Sequence, residues 1–202
     1  MNVTLIDYGA GNVASVERAL QRLGAQSQRA TTAECLANAG ALILPGVGHF
    51  AALIRALDER RLRAPLLESL GRGVPFLGIC LGLQALYEAS DEAPDLQGLQ
   101  IFAGKIRSLP ANVKLPHMGW NQLRLSGTSR LLDGIASEAY FYFAHSYAVR
   151  VNGHAGEVAT CAYGSEFVAV LEQENINAVQ FHPEKSGAVG ARLLLNFLRL
   201  AA

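Results

Sequence analysis

One cysteine stands between two glycines, Gly78-Ile79-Cys80-Leu81-Gly82, and this stretch is the best suited to chemistry in the chain. An apolar run, residues 74–79, leads into it and a helix-like pattern follows. That is the layout of a strand-to-helix elbow, where a nucleophile sits on strained backbone. The residues two before and two after it come close together, so glycine fits both places. A helix starting at Leu81 points its positive end at the sulfur and lowers the thiol pKa. Backbone N–H groups at that start, such as that of Leu81, can donate to a developing oxyanion. The same residues also fit an inert cysteine buried at the end of a core strand. The partners decide between the two.

A nucleophilic cysteine needs a base, and the base needs an orienting group. His182 and Glu184 stand after an apolar run in VQFHPEKS. On an extended chain residues two apart point the same way, so Glu184 can hold one imidazole nitrogen while the other faces the sulfur. Pro183 favours an extended His182. The alternative is a strand end with ordinary polar residues. Gly46–Gly48 of PGVG can aim a second N–H at the oxyanion, from Val47 or Gly48, or form a plain turn. Gln84, one turn beyond Cys80, faces either substrate or solvent. Cys35 and Cys161 lack flanking glycines and are expected to be structural. His49, His117, His145 and His154 are, taken singly, structural or surface residues. GAGNVA after the first strand fits a dinucleotide-binding pattern, but SQRAT stands where a ribose-binding acid belongs, so NAD binding is not expected.

These groups must be positioned by regular elements. The first ninety residues alternate strand and helix. Strands are expected at 1–7, 25–29, 41–46 and 74–79. Helices are expected at 12–23, from 32, at 49–70 with a break at Pro65, and at 81–89. Asn12 is a good helix cap and Gly24 a good stop. This alternation predicts a parallel sheet covered on both faces, with the site at the carboxyl ends of its strands. From residue 99 the runs are short and often alternating, predicting strands at 99–109, 113–125, 139–149, 156–163, 166–172 and 176–184, several of them antiparallel. A last apolar helix is expected over 187–200.

Composition bounds the rest. In 202 residues, half are hydrophobic and 17% charged, with formal net charge +0. One domain, 1–202, is expected, and no nucleic-acid partner. Three widely spaced cysteines argue for a reducing compartment rather than a disulfide framework. No zinc-ligand spacing is present, the amino terminus does not read as a signal peptide, and no apolar run approaches the roughly 20 residues of a membrane span. A cytoplasmic protein with no metal, cofactor or membrane partner is expected.

Taken in order, PGVG, GICLGLQ and QFHPEKS resemble the class I, triad-type glutamine amidotransferases. DYGAGN (7–12), LPHMGWN (115–121) and YFAHSY (142–147) narrow the likeness to the HisH-type glutaminase subunits of imidazole glycerol phosphate synthase. The resemblance covers nearly the whole chain. It implies an α/β, flavodoxin-like fold with a mostly parallel central sheet flanked by helices and with additional antiparallel strands. It implies that Cys80 attacks the side-chain amide of L-glutamine, His182 moves protons and Glu184 orients His182. Backbone N–H groups of Leu81, Val47 and Gly48 would stabilise the oxyanion, and Gln84, His145, Ser146 and Tyr147 would hold the glutamine. The implied partner is a cyclase subunit with a (β/α)8 barrel, faced by Asn12, Trp120 and Lys185. Each of those three has a plainer reading: helix cap, core residue and solvated charge. The PGVG loop can turn its peptides cheaply, so the oxyanion site can be incomplete until the partner is ligated. Leu83 stands where methionine is common, a volume-conserving change. Other readings are the glutaminase of anthranilate, aminodeoxychorismate or pyridoxal phosphate synthase, or a regulatory domain without catalysis.

Overall fold

A computed structural model describes residues 2–151, 153 and 156–202, so His154 lies outside the described residues. The first half runs β1 (Asn2–Ile6), α1 (Val13–Arg22), β2 (Gln26–Ala30), α2 (Ala33–Ala37), β3 (Leu42–Gly46), α3 (Phe50–Glu59), α4 (Arg63–Gly71) and β4 (Phe76–Cys80). Then come α5 (Leu81–Gln84), β5 (Tyr87–Ser90), β6 (Phe102–Ser108), β7 (His117–Gln122), β8 (Arg124–Leu125), β9 (Tyr140–His145) and β10 (Tyr147–Val149). The chain closes with β11 (Glu157–Tyr163), β12 (Ser165–Gln173), β13 (Ile176–Val179), a 3₁₀ turn at Pro183–Lys185 and α6 (Gly187–Leu200).

The central sheet has eight strands in the order β2-β1-β3-β4-β13-β12-β11-β8. The five from β2 to β13 are parallel, and β12, β11 and β8 continue antiparallel. The α/β expectation therefore holds. Apolar residues on every strand position are what a sheet covered on both faces needs: β3 and β4 are buried throughout. Alternation sends Leu42 and Leu44 to the face packed by Leu36, Leu53, Leu57 and Leu66. Ile43, Leu77 and Ile79 go to the other face, against Val16, Leu20, Leu193, Leu194 and Phe197. Each such fully buried side chain contributes about 1.5–3 kcal/mol. Because β4 lies between β3 and β13, the loops at their carboxyl ends converge on one point.

Several boundaries differ from expectation. The helical stretch 49–70 breaks at 60–62, not at Pro65. Arg61 takes φ 55, and Pro65 sits in the first turn of α4, where its missing N–H leaves no helix bond unmade. The helix expected over 81–89 lasts only four residues, because 87–90 pairs with β6 in a separate sheet. The run 139–149 is split at Ser146: β9 pairs with β7, and β10 pairs with β6. The stretch 113–125 likewise divides into β7 and β8. Asn12 is not a side-chain cap. It adopts left-handed φ 57, ψ 32 and makes no cap hydrogen bond. Among the described residues no helix is long and apolar enough to cross a membrane.

Candidate active site

Cys80 ends β4 with φ 53 and ψ −103, a strained conformation for a residue with a Cβ. Such backbone costs on the order of 1–3 kcal/mol and persists only when its surroundings enforce it. Here glycines enforce it. A Cβ added at Gly78 would lie 2.7 Å from the Gly82 carbonyl oxygen. One at Gly82 would overlap the Leu44 carbonyl, and one at Gly46 would lie 2.5 Å from the Leu81 Cβ. Gly46 is the register partner of Cys80, so the PGVG loop is pressed against the elbow. α5 is one turn long and supplies little macrodipole. What it offers the sulfur is local: the N–H groups of a first turn, which have no acceptor within the helix.

His182 follows β13 and is 1% exposed. Both of its backbone groups are tied: its N–H donates to Tyr142 O at 2.9 Å and its carbonyl accepts from Ser186 Oγ at 2.7 Å. Ser186 Oγ also accepts from Tyr142 N at 3.0 Å, which locks β9 to the turn. Nδ1 of His182 lies 2.9 Å from Glu184 Oε1, leaving Nε2 for the Cys80 sulfur. Expected and found contacts agree, but the route differs. Pro183–Lys185 is a 3₁₀ turn, so Glu184 folds back onto the ring instead of sharing a strand face with it. Pro183 fixes the φ that opens this turn. Burial alone would pull the His182 imidazole down. The negative sulfur of Cys80 and a hydrogen bond to it, with Glu184 on the other side, outweigh burial and push it up to about 10. Partners on both ring nitrogens thus favour the protonated imidazole and fix its orientation.

The other histidines are the reverse. His145 is pushed down to about 3 by burial, against the Tyr147 carbonyl and with the charges of His117 and His182 beside it. His117 is pushed down to about 4 by burial. They form one chain: Asn121 Nδ2 stands 3.4 Å from His117 Nε2, His117 Nδ1 3.1 Å from His145 Nε2, and His145 Nδ1 2.9 Å from Tyr147 O. Tyr147 O can only accept, so each ring carries its proton on Nδ1. Both nitrogens of His145 are thus engaged within the protein. Gln84 Nε2 donates to the same Tyr147 carbonyl at 2.8 Å and to Gln180 Oε1 at 3.1 Å. Gln84 is buried rather than solvent-facing.

Cys80, His182, Leu81, Val47, Gly48, Gln84, His145, Ser146 and Tyr147 all line one cleft of ≈ 340 Å³, the size of a small-molecule site. Two charged side chains at this cleft differ in sign, Glu92 and Lys185, a complement to a zwitterion. Glu92 Oε2 accepts from Phe50 N at 2.7 Å, and sequence reasoning missed it because nothing in EAPD marks it. Gln180 was also missed, although a polar residue inside VQFH needed a buried partner. Tyr8, next to the PGVG loop, carries a buried hydroxyl with no completed hydrogen bond. Burial pushes that phenol up, and the Val47 amide is the backbone group acting against this. Asn12 Nδ2 lies 3.5 Å from Glu184 Oε1. Trp120 is 54% exposed, which excludes a core role, and Lys185 is exposed with Nζ 5.8 Å from the Tyr142 ring centre. Cys161 is buried and its thiol is pushed up to about 12, which fits a structural role. His49 caps α3, its Nδ1 accepting from Ala51 N at 3.1 Å.

A strained cysteine, a buried histidine and a carboxylate at the ends of parallel strands define a hydrolytic or acyl-transfer class. The family model of class-I glutamine amidotransferases matches residues 4–200, and the chain belongs to that family. It is 46% identical over 199 residues to the imidazole glycerol phosphate synthase subunit HisH of Deinococcus radiodurans, covering 98% of this chain and 93% of that one. It is 44% identical over 198 residues to the HisH subunit of Methanothermobacter thermautotrophicus, covering 98% of both. A crystal structure of a glutamine amidotransferase superposes with TM-score 0.78 at 21% identity, over 98% of both chains. A structure of PurLQS from Thermotoga maritima superposes with TM-score 0.75 at 18% identity, over 100% of this chain and 99% of that one. These two support the fold.

Proposed function

We propose that this chain, as one domain over residues 1–202, is the glutaminase subunit of an imidazole glycerol phosphate synthase. The observation that carries the reading is Cys80 on its strained elbow with His182 and Glu184 aligned behind it, in a chain so similar to HisH subunits. Glutamine occupies the cleft with its side-chain amide at Cys80. Gln84, Ser146 and Tyr147 hold it from one side, with the His145 ring as a shaped wall. Glu92 and Lys185 match its ammonium and carboxylate. The sulfur's electron pair forms a bond to the amide carbon, and the carbonyl becomes an oxyanion facing Leu81 and the Val47–Gly48 peptides. Collapse breaks the C–N bond while His182 gives its proton to the departing nitrogen, releasing ammonia. His182, now neutral, takes a proton from water, which attacks the thioester; collapse expels the Cys80 thiolate and glutamate leaves.

The ammonia passes to a cyclase subunit with a (β/α)8 barrel, which converts PRFAR to imidazole glycerol phosphate and AICAR for histidine synthesis. The docking face includes Asn12, Trp120 and Lys185. Met118, 65% exposed, and Tyr140, 52% exposed, extend the apolar face of the β7–β9 ribbon. An oxyanion loop with glycine at 46 and 48 can turn its peptides cheaply and is suited to regulation by that partner. The reading places the chain in the cytoplasm, where its three thiols stay reduced. The test is Cys80→Ala in the complex. Glutamine-dependent synthesis should disappear while synthesis from added ammonia survives. Retained glutamine use sinks the assignment.

A further inference from the structure

We propose that Gln180 is a functional residue of this site: its side-chain amide donates to the Cys80 sulfur and holds that sulfur, charged, in the attacking position. The inference rests on Cys80 being the nucleophile. Gln180 and His182 follow directly after β13 and both reach the Cys80 sulfur, while Phe181 between them packs in the core. Gln180 is 0% exposed. Its Nε2 lies 3.5 Å from Cys80 Sγ, within reach for a bond to sulfur.

The direction of this bond follows from the network. Tyr147 O cannot donate, so Gln84 must present its NH2 to it, at 2.8 Å. The second hydrogen of that NH2 then goes to Gln180 Oε1, at 3.1 Å. With its oxygen so engaged, Gln180 has only NH2 to turn toward the sulfur. The backbone is fixed too, since Gln180 N donates to Ala169 O at 3.0 Å. A buried donor of this kind favours the thiolate over the thiol. The sulfur therefore has two side-chain donors from one strand end: His182, which moves protons, and Gln180, which does not.

The experiment is alkylation of Cys80 by iodoacetamide in the folded full chain at neutral pH, with Cys80→Ser identifying the reacting site. Gln180→Glu removes the donor, adds a negative charge and keeps the shape; alkylation should slow by about tenfold or more. Gln180→Met removes the donor without the charge and should slow it less, and this variant carries the test if Gln180→Glu does not fold. In the complex, kcat for glutamine should fall in the same order while ammonia-dependent synthesis is unchanged. Alkylation at the wild-type rate in the folded variants would overturn the role of Gln180. The outcome that overturns the underlying reading is different: wild-type Cys80 reacting no faster than the thiols of the unfolded chain, with no glutamine hydrolysis in the complex.

Discussion

The elbow at Cys80 and the β7–β9 ribbon lie on the same cleft and are built in opposite ways. At the elbow the Gly82 and Leu44 backbone and the Leu81 Cβ stand where side chains on the three glycines would fall, both faces are buried, and one conformation is left. The ribbon buries one face only. His117, Phe143 and Phe141 point inward, while Met118, Trp120 and Tyr140 stay in water. Strain is stored where packing is complete, and apolar surface is left open where packing is incomplete. The first suits a nucleophile whose position must not vary. The second suits a surface that another protein completes. The hydrogen-bonded chain from Asn121 through His117 and His145 to Tyr147, Gln84 and Gln180 joins the two regions.

The comparison can be broken first at the triad. His182→Ala should lower glutamine-dependent kcat by on the order of 10⁴ or more, since it removes the proton carrier. Glu184→Gln should cost less, because the ring keeps its place through its tied backbone. Equal losses in steady-state assays would mean that Glu184 does more than orient. Next, Gly82→Ala should destabilise the fold by about 2–3 kcal/mol in urea unfolding, as its Cβ meets the Leu44 carbonyl. Trp120→Ala should leave stability within about 0.5 kcal/mol. It should instead weaken binding of the cyclase by roughly 2 kcal/mol, read by titration calorimetry. The reverse pattern, an unstable Trp120 variant and a tolerant Gly82 variant, would undo the contrast between the regions.

The smallest effect is in pH. His182 is raised to about 10, so its contribution to stability is full below its ordinary pKa of 6.5 and is lost as pH rises through about 10. His145 and His117 are lowered to about 3 and about 4, so theirs is present above 6.5 and is lost as pH falls through those values. Imidazole NMR at neutral pH should therefore find His182 protonated and the other two neutral. A titration of His182 near 6.5 would contradict the charged pair.

Much of this was legible in the residues. Gly-x-Cys-x-Gly specified both close approaches of the elbow, and QFHPE specified the contact between His182 and Glu184. The strand-helix alternation of the first half specified the parallel sheet. Other features carried no local signal. Arg61 breaks the helix in a left-handed conformation that arginine does not advertise. The run 139–149 reads as one strand, and only its two partners, β7 and β6, divide it at Ser146. The end of the helix after Cys80 is not marked in the sequence, because 85–87 is apolar and fits either state, and pairing with β6 decides it. Asn12 is a cap by residue type, yet its side chain reaches Glu184 instead, a contact 172 positions away.

The most direct measurement is glutamate release from glutamine by the purified chain, alone and with an imidazole glycerol phosphate cyclase subunit carrying its nucleotide ligand. Strong stimulation by the ligated cyclase, absent in Cys80→Ala, is the result expected. High release by the chain alone, unchanged by the cyclase, would keep Cys80 as nucleophile and contradict the partner. No release under either condition would make Cys80 the buried, inert thiol its type alone allows.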